Sequence, residues 1–271
     1  MLNHQTAEKL RSMRLPAMAA EYLRQSESPE MDCLGFDERM GLLVDAEWLS
    51  RENNKIRKLL QEARLRAADA CFANIDYRAA RKLDRQAIAR LSDFAWVKEA
   101  RNLIITGATG TGKTWLACAF GQEACRKGVS ARFYRTSRLI NDLTLATGTG
   151  TFDKTLSALE KADILILDDW GLNPVTPAES RLLLEVFEDR FGRRSTVIAA
   201  QLPVSNWHGL FEDATLADAI LDRIVHQSYR FELQGASMRS ACGKAQEQLP
   251  SGEKQAPSGQ NLPPAEDAPS G

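Results

Sequence analysis

No apolar run in this chain approaches the roughly 20 residues that a membrane span requires. The N-terminus carries Asn3, His4, Gln5 and Glu8, so the apolar core of a secretory signal is missing too, and the expectation is a cytoplasmic protein. The five cysteines, at 33, 71, 118, 125 and 242, are odd in number and include no C-x-x-C pair. That excludes a disulfide framework. With only three histidines, none beside a cysteine, it also excludes a structural zinc site. No Gly-x-Ser-x-Gly elbow, Cys/His constellation or internal repeat is present. His208 and His226 read as ordinary surface or core residues. A formal net charge of −1 carries no global signature of nucleic-acid binding, although such a sum can hide a local basic face. What remains is 271 residues with 44% hydrophobic and 26% charged content, enough for one sizeable core and a small second domain.

Against this plain background one stretch stands out. Gly107-Ala108-Thr109-Gly110-Thr111-Gly112-Lys113-Thr114 fits Gly-x-x-x-x-Gly-Lys-Thr and follows the apolar run Leu103-Ile104-Ile105. Glycines let such a loop curl until its N–H groups point inward at phosphates. Lys113 adds a point charge over the outer phosphates, and the Thr114 hydroxyl is suited to Mg²⁺. Trp115 to Phe120 reads as the start of a helix whose positive end faces the anion. Strand, loop, Lys-Thr pair and helix come in the required order, so the stretch predicts binding of a nucleotide's phosphates with Mg²⁺.

The first 72 residues predict a small all-helical domain. Thr6 to Arg14, a second helix opened by Pro16, and a long helix from Phe36 towards Ala70 carry apolar residues at helical spacing. Between Arg51 and Arg101 there are 13 Lys or Arg against seven acids, a local excess of six positive charges. Lys55, Arg57, Lys58, Arg64 and Arg66 spread around one helix, followed by Phe72 and Tyr77. Such a run is either a solvated helix face or a surface that contacts DNA phosphates. Residues 73–100 read as a basic linker.

From Arg101 strands alternate with helices, which implies a parallel sheet and an α/β domain over 101–243. The strands are Leu103–Thr106, Ala131–Tyr134, Ile164–Leu167, Thr196–Ala200 and Tyr229–Leu233. Helices are expected over Trp115–Lys127, Ser137–Leu145, Pro177–Arg190 and Ala214–Gln227, with Thr147–Gly150 a flexible connection. Ile164 to Leu167 is apolar on both faces and ends in Asp168-Asp169. There Asp168 suits Mg²⁺, and Asp169 suits orientation and deprotonation of a water. Gln201 ends the next strand, as either a γ-phosphate contact or an ordinary polar residue before Pro203. Arg223, on the last core helix, either reaches a neighbouring subunit's nucleotide or makes a structural ion pair. Arg239, in Gly235-Ala-Ser-Met-Arg239, is a second arginine able to reach phosphates. Trp96, Trp115 and Trp170 read as packing residues. Residues 244–271 have no aromatic side chain and hold five of the ten prolines, a composition that predicts disorder.

Taken together, the P-loop, Leu167-Asp-Asp-Trp-Gly171, Gln201-Leu-Pro203, Leu221-Asp-Arg223 and Gly235-x-Ser-x-Arg239 resemble the IstB-like helper ATPases of bacterial insertion sequences. These belong to the AAA+ class, near the DnaC helicase loaders. The resemblance runs from Leu15-Pro-Ala-Met18 through Ile75-Asp76 and Asp93-Phe-Ala-Trp96 to Arg239. It implies an ATPase that forms a homo-oligomer on duplex DNA, with nucleotide at subunit interfaces, and directs a partner transposase to target sites. Lys113 and Thr114 would bind phosphate and metal, Asp168 would hold the metal and Asp169 would activate water. Arg223 matches the family's trans-acting arginine and Arg239 its second sensor. Gln201 stands where the family commonly has Asn, which leaves its sensor role open. A helicase loader with the same motor, a P-loop kinase, and a module that holds ATP without hydrolysing it are the other readings.

Overall fold

Three helices open the fold: α1 (Leu2–Ser12), α2 (Pro16–Glu27) and α3 (Phe36–Ala63). The computed structural model describes residues 2–78 and 81–238, and those up to Ser237 form one compact unit. Pro16 occupies the first turn of α2, where its missing N–H costs nothing. The half-exposed end of that helix is satisfied from a distance, because the Glu47 carboxylate of α3 accepts the N–H groups of Ala17 and Met18 at 3.0 and 3.1 Å. α3 begins with Glu38 accepting the Gly35 N–H at 3.0 Å, and Asp37 and Glu38 complement its positive end. Helical spacing in the sequence carries this helix towards Ala70, but it stops at Ala63. Arg64 takes a left-handed conformation (φ 51°), which breaks the ladder, and Leu65 then turns in against the core.

The stretch 73–100 supplies core as well as charge. α4 (Arg85–Leu91) is capped by Asp84, whose carboxylate accepts the Gln86 N–H, and α5 (Ala95–Lys98) follows closely. Ile75, Ile88, Leu91, Phe94 and Trp96 are all buried in the same cluster as the P-loop helix.

Five parallel strands form the sheet: β1 (Asn102–Gly107), β2 (Ala131–Arg135), β3 (Ile164–Trp170), β4 (Ser195–Ala200) and β5 (Ser228–Leu233). Their spatial order is β2-β3-β4-β1-β5. Successive side chains point to opposite faces. Leu103, Ile105, Ile164, Ile166, Val197 and Ala199 therefore meet α6 (Lys113–Arg126). Ile104, Leu165, Leu167, Ile198 and Ala200 meet the other layer, α7 (Thr136–Gly148), α8 (Phe152–Glu160), α9 (Pro177–Arg190) and α10 (Ala214–Val225). Both faces are covered, which is why these strands read as continuous apolar runs. The connection expected over Thr147–Gly150 is shorter than that, since α7 reaches Gly148 and α8 starts at Phe152. Among the described residues no helix is long and apolar enough to cross a membrane.

Candidate nucleotide and metal site

The site forms at the carboxyl ends of the strands. Gly107 closes β1, and the loop to Gly112 needs backbone that side chains resist: φ is +147° at Gly107, +85° at Gly110 and +93° at Gly112. Thr111 is fully buried, and its hydroxyl donates to the Ala108 carbonyl at 2.9 Å. The Lys113 ammonium donates to the same carbonyl at 2.8 Å, so the lysine arches over its own loop. Gly112 caps α6, leaving that helix's first N–H groups directed into the loop.

β4 lies between β1 and β3, so Asp168 reaches the loop across an intervening strand. The Thr114 hydroxyl donates to Asp168 Oδ1 at 2.8 Å. This hydroxyl and carboxylate are adjacent hard oxygen donors, the pairing that suits Mg²⁺ when phosphates and waters complete its shell. Burial pushes the Asp168 carboxyl above its ordinary range; the Thr114 hydrogen bond opposes this and the Asp169 charge adds to it. Arg66 Nη1 approaches the other Asp168 oxygen at 3.5 Å.

In a regular strand Asp168 and Asp169 would face opposite sides of the sheet. Here the β3–β4 register shifts between Leu167 and Trp170, and Asp169 adopts φ 59°. That bulge re-aims Asp169. Its carboxylate lies 3.9 Å from the Arg135 guanidinium and lines a cavity of about 390 Å³ together with Thr136, Asn141 and Gly171. Gln201, just past β4, accepts the Thr109 hydroxyl at 3.0 Å, which ties it directly to the P-loop.

Arg223 is not brought to the P-loop of its own chain. Its guanidinium pairs with Glu188 and donates to the Ala219 carbonyl at 2.6 Å. Its own carbonyl accepts from Asn102, the first residue of β1, while the P-loop begins at the last. The two lie at opposite ends of the strand, about 17 Å apart along it. Arg239 lies outside the described residues, as do Cys242 and the 244–271 stretch. Trp96 and Trp170 are buried packing residues, and Trp115 is partly buried. Burial pushes the Cys125 thiol up to about 11, as befits a packing residue.

Several contributors are invisible to motif reading. Arg81 Nη1 would stand 3.0 Å from a methyl placed on Gly112, and Ser237 Oγ crowds the corresponding position on Gly110 at 2.1 Å. Arg81 enters the sequence reading only as one charge in a basic run. Ser237 enters only as part of the Gly235-x-Ser-x-Arg239 pattern, with no role of its own.

The family model for the IstB-like ATP-binding protein matches residues 8–245. The chain belongs to the IstB-like ATP-binding family. Among curated members it is 43% identical over 239 residues to a putative insertion sequence ATP-binding protein, y4pL, of Sinorhizobium fredii, covering 88% of this chain and 97% of that one. It is 44% identical over 205 residues to the putative ATP-binding protein of insertion sequence IS1162 from Pseudomonas fluorescens, covering 76% and 89%. The crystal structure of the DnaC helicase loader superposes with a TM-score of 0.51 at 22% identity, covering 61% of this chain and 97% of that one. The chain thus shares with that loader the fold of a P-loop parallel sheet flanked by helices, here preceded by a helical N-terminal region.

Proposed function

We propose that this chain is a Mg²⁺-dependent ATPase serving insertion-sequence transposition, one that oligomerises on duplex DNA and directs a partner transposase to target sites. The observation that supports the ATPase reading is that Asp168 meets Thr114 and Gln201 meets Thr109, both on one P-loop. Lys113 and the loop N–H groups of Gly107 to Thr114 bind the ATP phosphates. Thr114 and Asp168 hold Mg²⁺, which when bound neutralises charge developing on the phosphates. Asp169 takes the proton of the attacking water, and Gln201 orients that water or the γ-phosphate. Arg239 serves as the second sensor in the same subunit.

Arg223 acts on the nucleotide of a neighbouring subunit. Its distance from its own P-loop supports this role, and such an arginine contributes on the order of 10³–10⁵ in rate. The exposed Lys55, Arg57 and Lys58 of α3 support DNA contact by the helical region. The transposition context is supported by the names of the relatives. A helicase loader with the same motor is the second reading, favoured by the likeness to the DnaC fold.

The test is ATP turnover with and without duplex DNA, for the parent, Lys113→Ala, Arg223→Ala and an equimolar mixture of the two variants. Stimulation by DNA, loss in each variant and partial recovery in the mixture are expected. Turnover indifferent to DNA together with a parent-like Arg223→Ala would overturn the shared-site mechanism.

A further inference from the structure

Arg81 is 95% buried, yet among the described residues it forms no ion pair and its Nε–H has no hydrogen-bond partner. One arm of its guanidinium donates to the Asp76 carbonyl, and its own carbonyl accepts the Gln234 N–H at 3.1 Å. These contacts pin the segment before β4's neighbour β1 to the segment that leaves β5. The other arm, Nη1, reaches Gly112, where a methyl would come within 3.0 Å of it. Gly112 caps α6 and forms the inner wall of the phosphate cradle. A buried cation with an unmade hydrogen bond is unfavourable, and it stands at the lip of a loop built to hold anions.

We propose that Arg81 is a nucleotide-binding residue, a second cation besides Lys113 that donates to phosphate oxygens of the bound nucleotide. This rests on the nucleotide-binding reading of the P-loop. A phosphate oxygen is the acceptor chemistry that matches the guanidinium's unpaired charge at Nη1. The planar fork lets one arm hold the Asp76 carbonyl while the other serves the ligand, which an ammonium on the same stem cannot reproduce. Residues on three segments then meet around one ligand: the P-loop, the stretch ending at Arg81, and the stretch from Gln234 to Ser237.

The experiment titrates ADP and adenosine separately into the full chain by calorimetry, for the parent, Arg81→Gln, Arg81→Lys and Arg90→Gln. Arg90 is an exposed arginine on α4 and controls for the loss of one charge. Arg81→Gln should weaken ADP roughly 10- to 100-fold, the range for a lost hydrogen bond to a charged group. Arg81→Lys should recover part of that loss. Adenosine should change less than about twofold in either variant, and Arg90→Gln should match the parent for both ligands, because only a phosphate contact separates them. If Arg81→Gln weakens ADP and adenosine equally, Arg81 merely shapes the site, and the proposal is wrong. ADP affinity unchanged in Arg81→Gln overturns it as well. A parent that binds no ADP overturns the P-loop reading itself, a separate failure visible before any variant is compared.

Discussion

Gly107→Ala should be a folding mutation before it is a binding mutation. Gly107 closes β1 opposite Leu233 of β5, with φ at +147°. A methyl placed on it would lie 2.2 Å from the Leu233 carbonyl oxygen and 3.1 Å from the carbonyl carbon. Both neighbours are backbone, held by a ladder that pairs Asn102 to Gly107 with Ser228 to Leu233, so neither can rotate aside. The strained backbone costs about 1–3 kcal/mol. Forcing the methyl into filled space adds about 1–3 kcal/mol more. For a unit of this size each kcal/mol moves the melting midpoint by roughly 2–4 °C, so a total near 4 kcal/mol predicts a fall of about 8–16 °C. Gly112→Ala is the control. Its methyl meets only the end of the Arg81 side chain, so its cost is confined to the backbone term of about 1–3 kcal/mol. Circular-dichroism melts of both variants, without nucleotide, make the comparison. The reasoning is refuted if Gly107→Ala melts within about 2 °C of the parent, or if Gly112→Ala falls as far.

Asp169→Asn should fold like the parent, because Asn tolerates the left-handed backbone, while single-turnover hydrolysis drops about 10²–10⁴-fold. Parent-like turnover in that variant would remove Asp169 from the chemistry. Asp169→Val should also lose about 1–2 kcal/mol of stability in urea melts, since a β-branched side chain resists φ 59°. Asp168→Asn should stabilise the nucleotide-free protein near neutral pH. A carboxyl raised in the folded state contributes most when protonated, and that contribution is lost as pH rises from its unfolded value through its folded one. Asn escapes the loss, so the urea midpoints of parent and variant should converge below about pH 4 and separate above it. A difference that does not change with pH would mean that burial of the charge is not its cause.

The parts of the site that were legible in the sequence are those where one backbone geometry demands one residue type. Three loop glycines at positive φ, a Lys-Thr pair and an apolar strand ending in acids satisfy that condition. The doubly covered sheet was legible for a similar reason, because strands buried on both faces leave no polar alternation. The bulge at Asp168-Asp169 was not, since Asp accepts both extended and left-handed backbone and announces neither. The Thr109 contact to Gln201 spans 92 positions, and nothing local at either residue encodes it. The early end of α3 at Arg64 was hidden because arginine is a good helix former, and only the docking of Leu65 explains the turn. α8, just after Gly150, is a nine-residue helix whose start has no side-chain cap to mark it. Arg81 disappeared into a basic run because charge counting does not distinguish a solvated arginine from one that is 95% buried.

Placing Arg223 and the P-loop at opposite ends of the sheet gives a head-to-tail assembly built on a shared site a direction. A two-fold dimer would seat each arginine in the other's loop reciprocally and stop at two copies. Copies that share the site head to tail grow instead until the rotation between neighbours closes a ring. In an open stack one terminal subunit holds nucleotide without a neighbour's arginine, so turnover per subunit climbs with length as (n − 1)/n. The exposed end then behaves as a slow cap, and the assembly carries a measure of its own length in the rate at which it consumes ATP.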